Sequence, residues 1–90
     1  MTIRSLRLIR IKEVSSKTGN GKSSIYSQIE DALQVPPVKI GPRASAWVEY
    51  EVDAVNAARM AGKSDGEIRA LVKTLTAKRQ QIAHEILSAT

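Results

Sequence analysis

Apolar positions along this chain switch between a spacing of two and a spacing near 3.6, and each switch marks an element. Leu6-Arg7-Leu8-Ile9-Arg10-Ile11 alternates imperfectly and is rich in aliphatics. This predicts a short strand with Leu8, and Leu6 with it, turned inward. Lys12 to Thr18 follows as a short helix holding Val14, closed by Gly19 in a left-handed conformation, with Asn20-Gly21 as the turn. From Lys22 to about Leu33, a second helix places Ile25, Ile29, Ala32 and Leu33 on one face. At about 100° per residue, Ser23 and Ser27 point nearly opposite that face, and Ser24 and Tyr26 flank it.

Pro36-Pro37 stops this helix and forces an extended chain. Val38-Lys39-Ile40 then alternates in, out, in, as a half-buried strand should. Gly41-Pro42-Arg43-Ala44-Ser45 is the turn, and Trp47-Val48 begins the return strand. A third helix is expected from about Glu51 to Ala61, with Val52, Val55 and Ala58 inward and Gly62 closing it. Ser64-Asp65-Gly66-Glu67 fits a capping box, Ser at N-cap and Glu at N3. It opens a fourth helix from about Asp65 to Leu87 with the stripe Ile68, Leu71, Val72, Leu75, Ile82, Ile86, interrupted at Lys78 and Arg79. The fold class expected is mainly α with a small β-hairpin. Gly62-Lys63 is the one joint with hinge character, dividing residues 1–62 from a C-terminal helix in residues 63–90.

Composition narrows the picture. A chain of 90 residues fits one domain and buries roughly 60–65% of its unfolded surface. There is no Phe and one Trp, so aliphatic side chains must build the core and Trp47 is expected within it rather than as a stacking platform. The absence of Cys excludes a disulfide framework and a thiolate metal site, which suits a reducing compartment. The basic N-terminus has no apolar h-region, and no apolar run approaches ~20 residues. Neither a signal peptide nor a membrane partner is expected, and a cytoplasmic location is.

Charge adds a direction. The formal net charge is +5. Residues 1–43 hold eight Lys/Arg against three Asp/Glu, whereas residues 44–90 hold six of each, so the whole surplus lies in the strand–helix–helix–hairpin segment. Concentrated positive charge suits a polyanion, because each neutralised phosphate releases counterions. The second helix carries Lys22, Ser23, Ser24, Tyr26 and Ser27 near its start, and the hairpin carries Arg43 at its turn. A helix entering a major groove by its N-terminus, beside a loop on the adjacent backbone, is a common way to read a duplex. Glu30 and Asp31 lie further along the outer side of that helix and would be repelled by phosphate, so only its N-terminal half should enter the groove. Arg4, Arg7, Arg10 and Lys12 mix solvated charge with candidate backbone contacts, and Lys17 joins them.

Catalysis finds little support. His84 is alone on an amphipathic helix, without a nucleophile or second ligand at diagnostic spacing. Gly19-Asn20-Gly21-Lys22-Ser23-Ser24 lacks the Gly-x-x-x-x-Gly-Lys spacing and the preceding buried strand of a phosphate-binding loop. No catalytic residue, metal site or cofactor is expected.

RLIRIKEV, then TG, then KSSIY, then PVKIGPRASAWVEYEVDA resembles the AlpA family of phage and prophage regulators, related to excisionases and to the DNA-binding domain of MerR-type regulators. The likeness covers about residues 6–60 and rests on several short blocks in the right order and spacing. It implies a winged-helix-like DNA-binding domain. Residue by residue, Lys22, Ser23, Ser24 and Tyr26 match the recognition-helix block; Lys39, Gly41 and Arg43 match the wing; Trp47, Glu51 and Val52 match the scaffold behind it. Ser45 is counted with the wing, and Ser27 with the recognition helix. The chain departs from the pattern at Asn20, where an apolar residue is usual, at Gly21 for a Ser cap, at Ser27 for an Arg, and at Val55 for a Trp.

The expected function is therefore sequence-specific DNA binding in transcriptional regulation of a phage, prophage or other mobile element, with double-stranded DNA as partner. One alternative is a recombination directionality factor that binds and bends attachment-site DNA. Another, of a different class, is an adaptor that binds a regulator or integrase through the fourth helix. The apolar stripe of that helix suggests a division of labour. Its half through Leu75 would pack on the third helix, and Ile82 and Ile86 would reach a second copy, giving a homodimer or a cooperative array on DNA.

Overall fold

A computed structural model describes residues 6–89. Along the chain run β1 (Leu8–Ile9), α1 (Ile11–Thr18), α2 (Lys22–Glu30), β2 (Val38–Gly41), β3 (Ala44–Val48), α3 (Glu49–Met60) and α4 (Asp65–Ser88). Helices dominate, and the strands form one small antiparallel sheet in the order β1-β3-β2. Two short helices followed by a hairpin that stands beside them is a winged-helix-like arrangement, with α2 in the place of the recognition helix and β2–β3 as the wing. Arg4 lies outside the described residues.

The core is aliphatic around a single ring. Ile9, Val14, Ile25, Val35, Trp47, Val52, Val55, Ile68 and Val72 form one buried cluster, with Ile11, Ile29, Leu33, Ala58, Leu71 and Leu75 packed against it. Every element except the wing's outer strand sends a side chain there, so α1, α2 and α3 are fixed relative to one another by shared burial. The first half of α4 enters the same cluster through Ile68 and Val72.

The local stop signals act as their chemistry requires. Gly19 closes α1 at φ +74°, and Gly62 follows α3 at φ +73°, a conformation open to glycine at no steric cost. Ser64 and Glu67 form the reciprocal capping box at the start of α4: Glu67 N–H donates to Ser64 Oγ (3.2 Å) and Ser64 N–H donates to Glu67 Oε1 (3.1 Å). The Ser64 hydrogen bonds hold the Glu67 carboxyl below the usual carboxylate range, and the Lys63 charge adds to the effect.

Several expectations need correction. Ile9, not Leu8, turns inward: Ile9 is 1% exposed and Leu8 45%. The pairing Leu8↔Val48 and Ile9↔Trp47 puts Ile9 on the Trp47 side, and an offset of one residue exchanges the two faces of a strand. Leu6 is exposed as well. The second helix ends at Glu30 rather than near Leu33. Ala32 takes φ +60°, its N–H donates to the Ile29 carbonyl (3.1 Å), and Leu33 N–H donates to the Gln28 carbonyl (2.8 Å). This is a Schellman closure with alanine where glycine is usual, and it leaves Ala32 exposed while Leu33 still reaches the core.

Third, Ile40 does not point inward; it is 47% exposed. The register Val38↔Ala46, Lys39↔Ser45, Gly41↔Ala44 skips it, so Ile40 is the extra residue of a β-bulge that breaks the alternation. Fourth, the return strand starts at Ala44, because the turn is only Pro42-Arg43, and Trp47 lies near its end. The third helix likewise starts two residues early, at Glu49, directly off the strand.

Candidate DNA interface

The turn between α1 and α2 is stiffened from within. Ser15 Oγ donates to the Asn20 carbonyl (2.6 Å), Thr18 Oγ1 donates to the Val14 carbonyl (2.8 Å), and Asn20 N–H donates to Thr18 Oγ1 (3.3 Å). These bonds hold the crossing of the two helices. At the start of α2, Gly21 is the N-cap and offers no side chain to the first-turn N–H groups. Those groups carry the positive end of the helix dipole, which suits a phosphate oxygen.

Ile25 is fully buried and anchors α2. Lys22, Ser23, Ser24 and Ser27 are all exposed, and Tyr26 is 42% exposed. The Tyr26 ring meets the Trp47 ring edge-on, with centroids 6.1 Å apart and planes at 61°. Tyr26 thus leans on the core through one edge while remaining open to solvent. Trp47 itself is buried and is scaffold.

The wing register brings its polar residues to the α2 side. Side chains alternate along a strand, so Ser45 shares a face with Trp47, and its cross-strand partner Lys39 shares it too. Trp47 faces Tyr26 of α2, so Lys39 and half-buried Ser45 lie on the sheet face turned toward that helix. Arg43 is exposed at the turn.

Electrostatics divides the basic residues into two groups. Arg7 Nη1 lies 2.7 Å from carboxylate oxygens of both Glu13 and Glu49. Lys17 Nζ lies 2.7 Å from Asp53 and 3.2 Å from Glu49. Glu13 and then Glu49 raise the Arg7 pKa, and the hydrogen bonds that Lys17 donates to Asp53 and Glu49 raise that of Lys17. Both charges are compensated inside the chain. Arg59 donates to the Leu33 carbonyl, Arg69 to the Asp31 carbonyl, and Lys63 pairs with Glu67. By contrast, Arg10, Lys12, Lys22, Lys39 and Arg43 have no side-chain hydrogen bond or ion pair among the described residues, and the same holds for Lys73 and Lys78 on α4. Arg10 stands at the N-cap of α1 and Lys12 in its first turn.

One feature of the scaffold escaped the sequence reading. Glu51 is fully buried, and Arg79 of α4 grips it through Nε (2.9 Å to Oε2, 3.2 Å to Oε1) and through a second nitrogen. Arg79 does not interrupt the α4 stripe: positions 68, 72, 75, 79 and 82 keep helical spacing and Arg79 faces inward with them, while Ile86, next on the stripe, is exposed. The signal was an acid and a base, each set in the apolar stripe of one of two neighbouring helices.

The family described as "Prophage CP4-57 regulatory protein (AlpA)" matches residues 7–59, from β1 through nearly all of α3. The chain belongs to the AlpA family. AlpA proteins are regulatory DNA-binding proteins of phages and prophages, and the helix–turn–helix and hairpin described above lie wholly within the matched segment. The chain is also 37% identical over 60 residues to "Uncharacterized protein ORF88" of Enterobacteria phage P4, covering 67% of this chain and 68% of that protein. No solved structure matches the chain. Among the described residues, no helix is long and apolar enough to cross a membrane, and no group of three His, Cys, Asp or Glu could hold a metal ion.

Proposed function

We propose that this AlpA protein is a sequence-specific DNA-binding transcriptional regulator of a phage, prophage or other mobile element. The observation that carries the reading is the sorting of charge. Among the described residues of the segment that matches the family, Arg7, Lys17 and Arg59 are bound to carboxylates or a carbonyl, while Lys22 on α2, Lys39 and Arg43 on the wing, and Arg10 and Lys12 at the start of α1 have no internal partner. In this reading the N-terminal half of α2 enters the major groove, with Ser23, Ser24 and Ser27 toward base edges and Lys22 and Tyr26 toward the backbone. Lys39, Ser45 and Arg43 meet the flanking backbone. Arg10 and Lys12 add phosphate contacts, whereas Arg7 and Lys17 act inside the fold by holding α1 to α3.

Footprinting on the DNA flanking the protein's own gene tests this. A discrete protected segment whose protection falls steeply with salt supports the reading. Uniform, sequence-independent coverage overturns the claim of specificity, and protection confined to an attachment site would move the protein to excision. Ser23→Ala and Ser24→Ala should change preference among sites, and Lys22→Ala should weaken binding to all of them alike.

A further inference from the structure

The segment 31–37 joins the C-terminal end of α2 to β2, so its path sets the wing relative to the helix that reads DNA. Three of its carbonyl oxygens are held by arginines from the last two helices. Arg69 Nε donates to Asp31 (2.9 Å), Arg59 Nη2 to Leu33 (3.3 Å) and Arg79 Nη2 to Pro36 (2.7 Å). Arg79 is the most committed of the three. The fork that grips buried Glu51 also reaches the Pro36 carbonyl, two residues ahead of the wing's first strand. A planar guanidinium can serve both acceptors at once; the compact ammonium of lysine can neutralise Glu51 but lacks the fork to span both. Arg79 belongs to α4, outside the segment that matches the family.

We propose that Arg79 is a positioning residue for DNA recognition: by joining Glu51 of α3 to the Pro36 carbonyl it fixes the base of the wing, so delivery of Arg43 to DNA depends on the C-terminal helix. This rests on the reading that the wing meets DNA. A residue that only stabilised the fold would leave the effect of Arg43 unchanged in any molecule that remained folded.

The test is a double-mutant cycle on the full chain, read by anisotropy of a labelled mixed-sequence duplex at low salt. Arg43→Ala in the wild-type background should weaken binding about tenfold, the scale of a lost charge-assisted contact. Arg79→Lys alone should weaken it about fivefold, and adding Arg43→Ala to Arg79→Lys should then cost less than about threefold. The same factor for Arg43→Ala in both backgrounds overturns the positioning role while leaving the wing reading intact. No effect of Arg43→Ala in the wild-type background overturns the wing reading, and the positioning role with it. If Arg79→Lys does not fold, Glu51→Leu with Arg79→Met replaces the pair by apolar side chains of similar size, removes the Pro36 bond, and carries the same cycle.

Discussion

The division of basic residues into free and internally paired sets a value for the salt dependence of DNA binding. Affinity for B-DNA falls with a log–log slope of about −0.9 per neutralised phosphate. Five cations of the helix–wing module, Arg10, Lys12, Lys22, Lys39 and Arg43, have no internal partner among the described residues. If all five meet phosphate, the slope is about −4.5, and affinity drops about 500-fold between 50 and 200 mM salt. Were Arg7 and Lys17 also to meet DNA, the slope would be about −6 and the drop roughly ten times larger. Their geometry argues against it, since each lies 2.7 Å from a carboxylate oxygen that phosphate would have to displace. The assay is anisotropy of a labelled duplex over a salt series, run on the wild type and on single alanine variants. Lys22→Ala and Arg43→Ala should each flatten the slope by about one unit. Arg7→Ala, Lys17→Ala, Lys73→Ala and Lys78→Ala should leave it unchanged. A slope near −6, or Arg7→Ala flattening it as much as Lys22→Ala, would refute the assignment.

Three further outcomes follow from the fold. Arg79→Met strands the buried Glu51 carboxylate and should cost about 3–5 kcal/mol, much of the stability of a chain this size, whereas adding Glu51→Leu should recover most of it; urea unfolding read through the single, buried Trp47 measures both. Ala32→Gly should stabilise by about 0.5–1 kcal/mol, because the left-handed penalty at φ +60° outweighs the added freedom of glycine in the unfolded chain, and an unchanged or lowered urea midpoint would contradict this. The Glu67 carboxyl titrates below its unfolded value, so its contribution is present above that value and is lost as pH falls through the folded one; stability compared between pH 6 and pH 3 should fall less for Glu67→Gln than for the wild type.

The parts of the fold that were legible in the sequence are those decided within a few residues. Gly19, Gly62 and the Ser64–Glu67 pair announce helix ends through their own backbone and side-chain chemistry, and the structure uses each of them. What misled were conformations chosen by distant partners. Ile9 rather than Leu8 is inward because of its register with Trp47, 38 positions away. Ile40 is bulged out by pairing across the hairpin. Ala32 adopts a glycine conformation with no glycine to announce it, because Leu33 reaches the core from the position that follows.

The candidate site divides in the same way. Its residues could be named from the sequence, because a hydroxyl-rich helix face and an arginine at a proline turn are local features. Which positive charges remain available could not. Arg7 and Arg10 lie three residues apart and are chemically identical, yet Arg7 is held by Glu49, 42 positions further on, while Arg10 has no partner among the described residues. A net charge of +5 therefore says that a polyanion is welcome without saying where. The charge that DNA can use is what the fold leaves over after pairing, and here the remainder in the matched segment collects on the start of α1, the start of α2 and the wing.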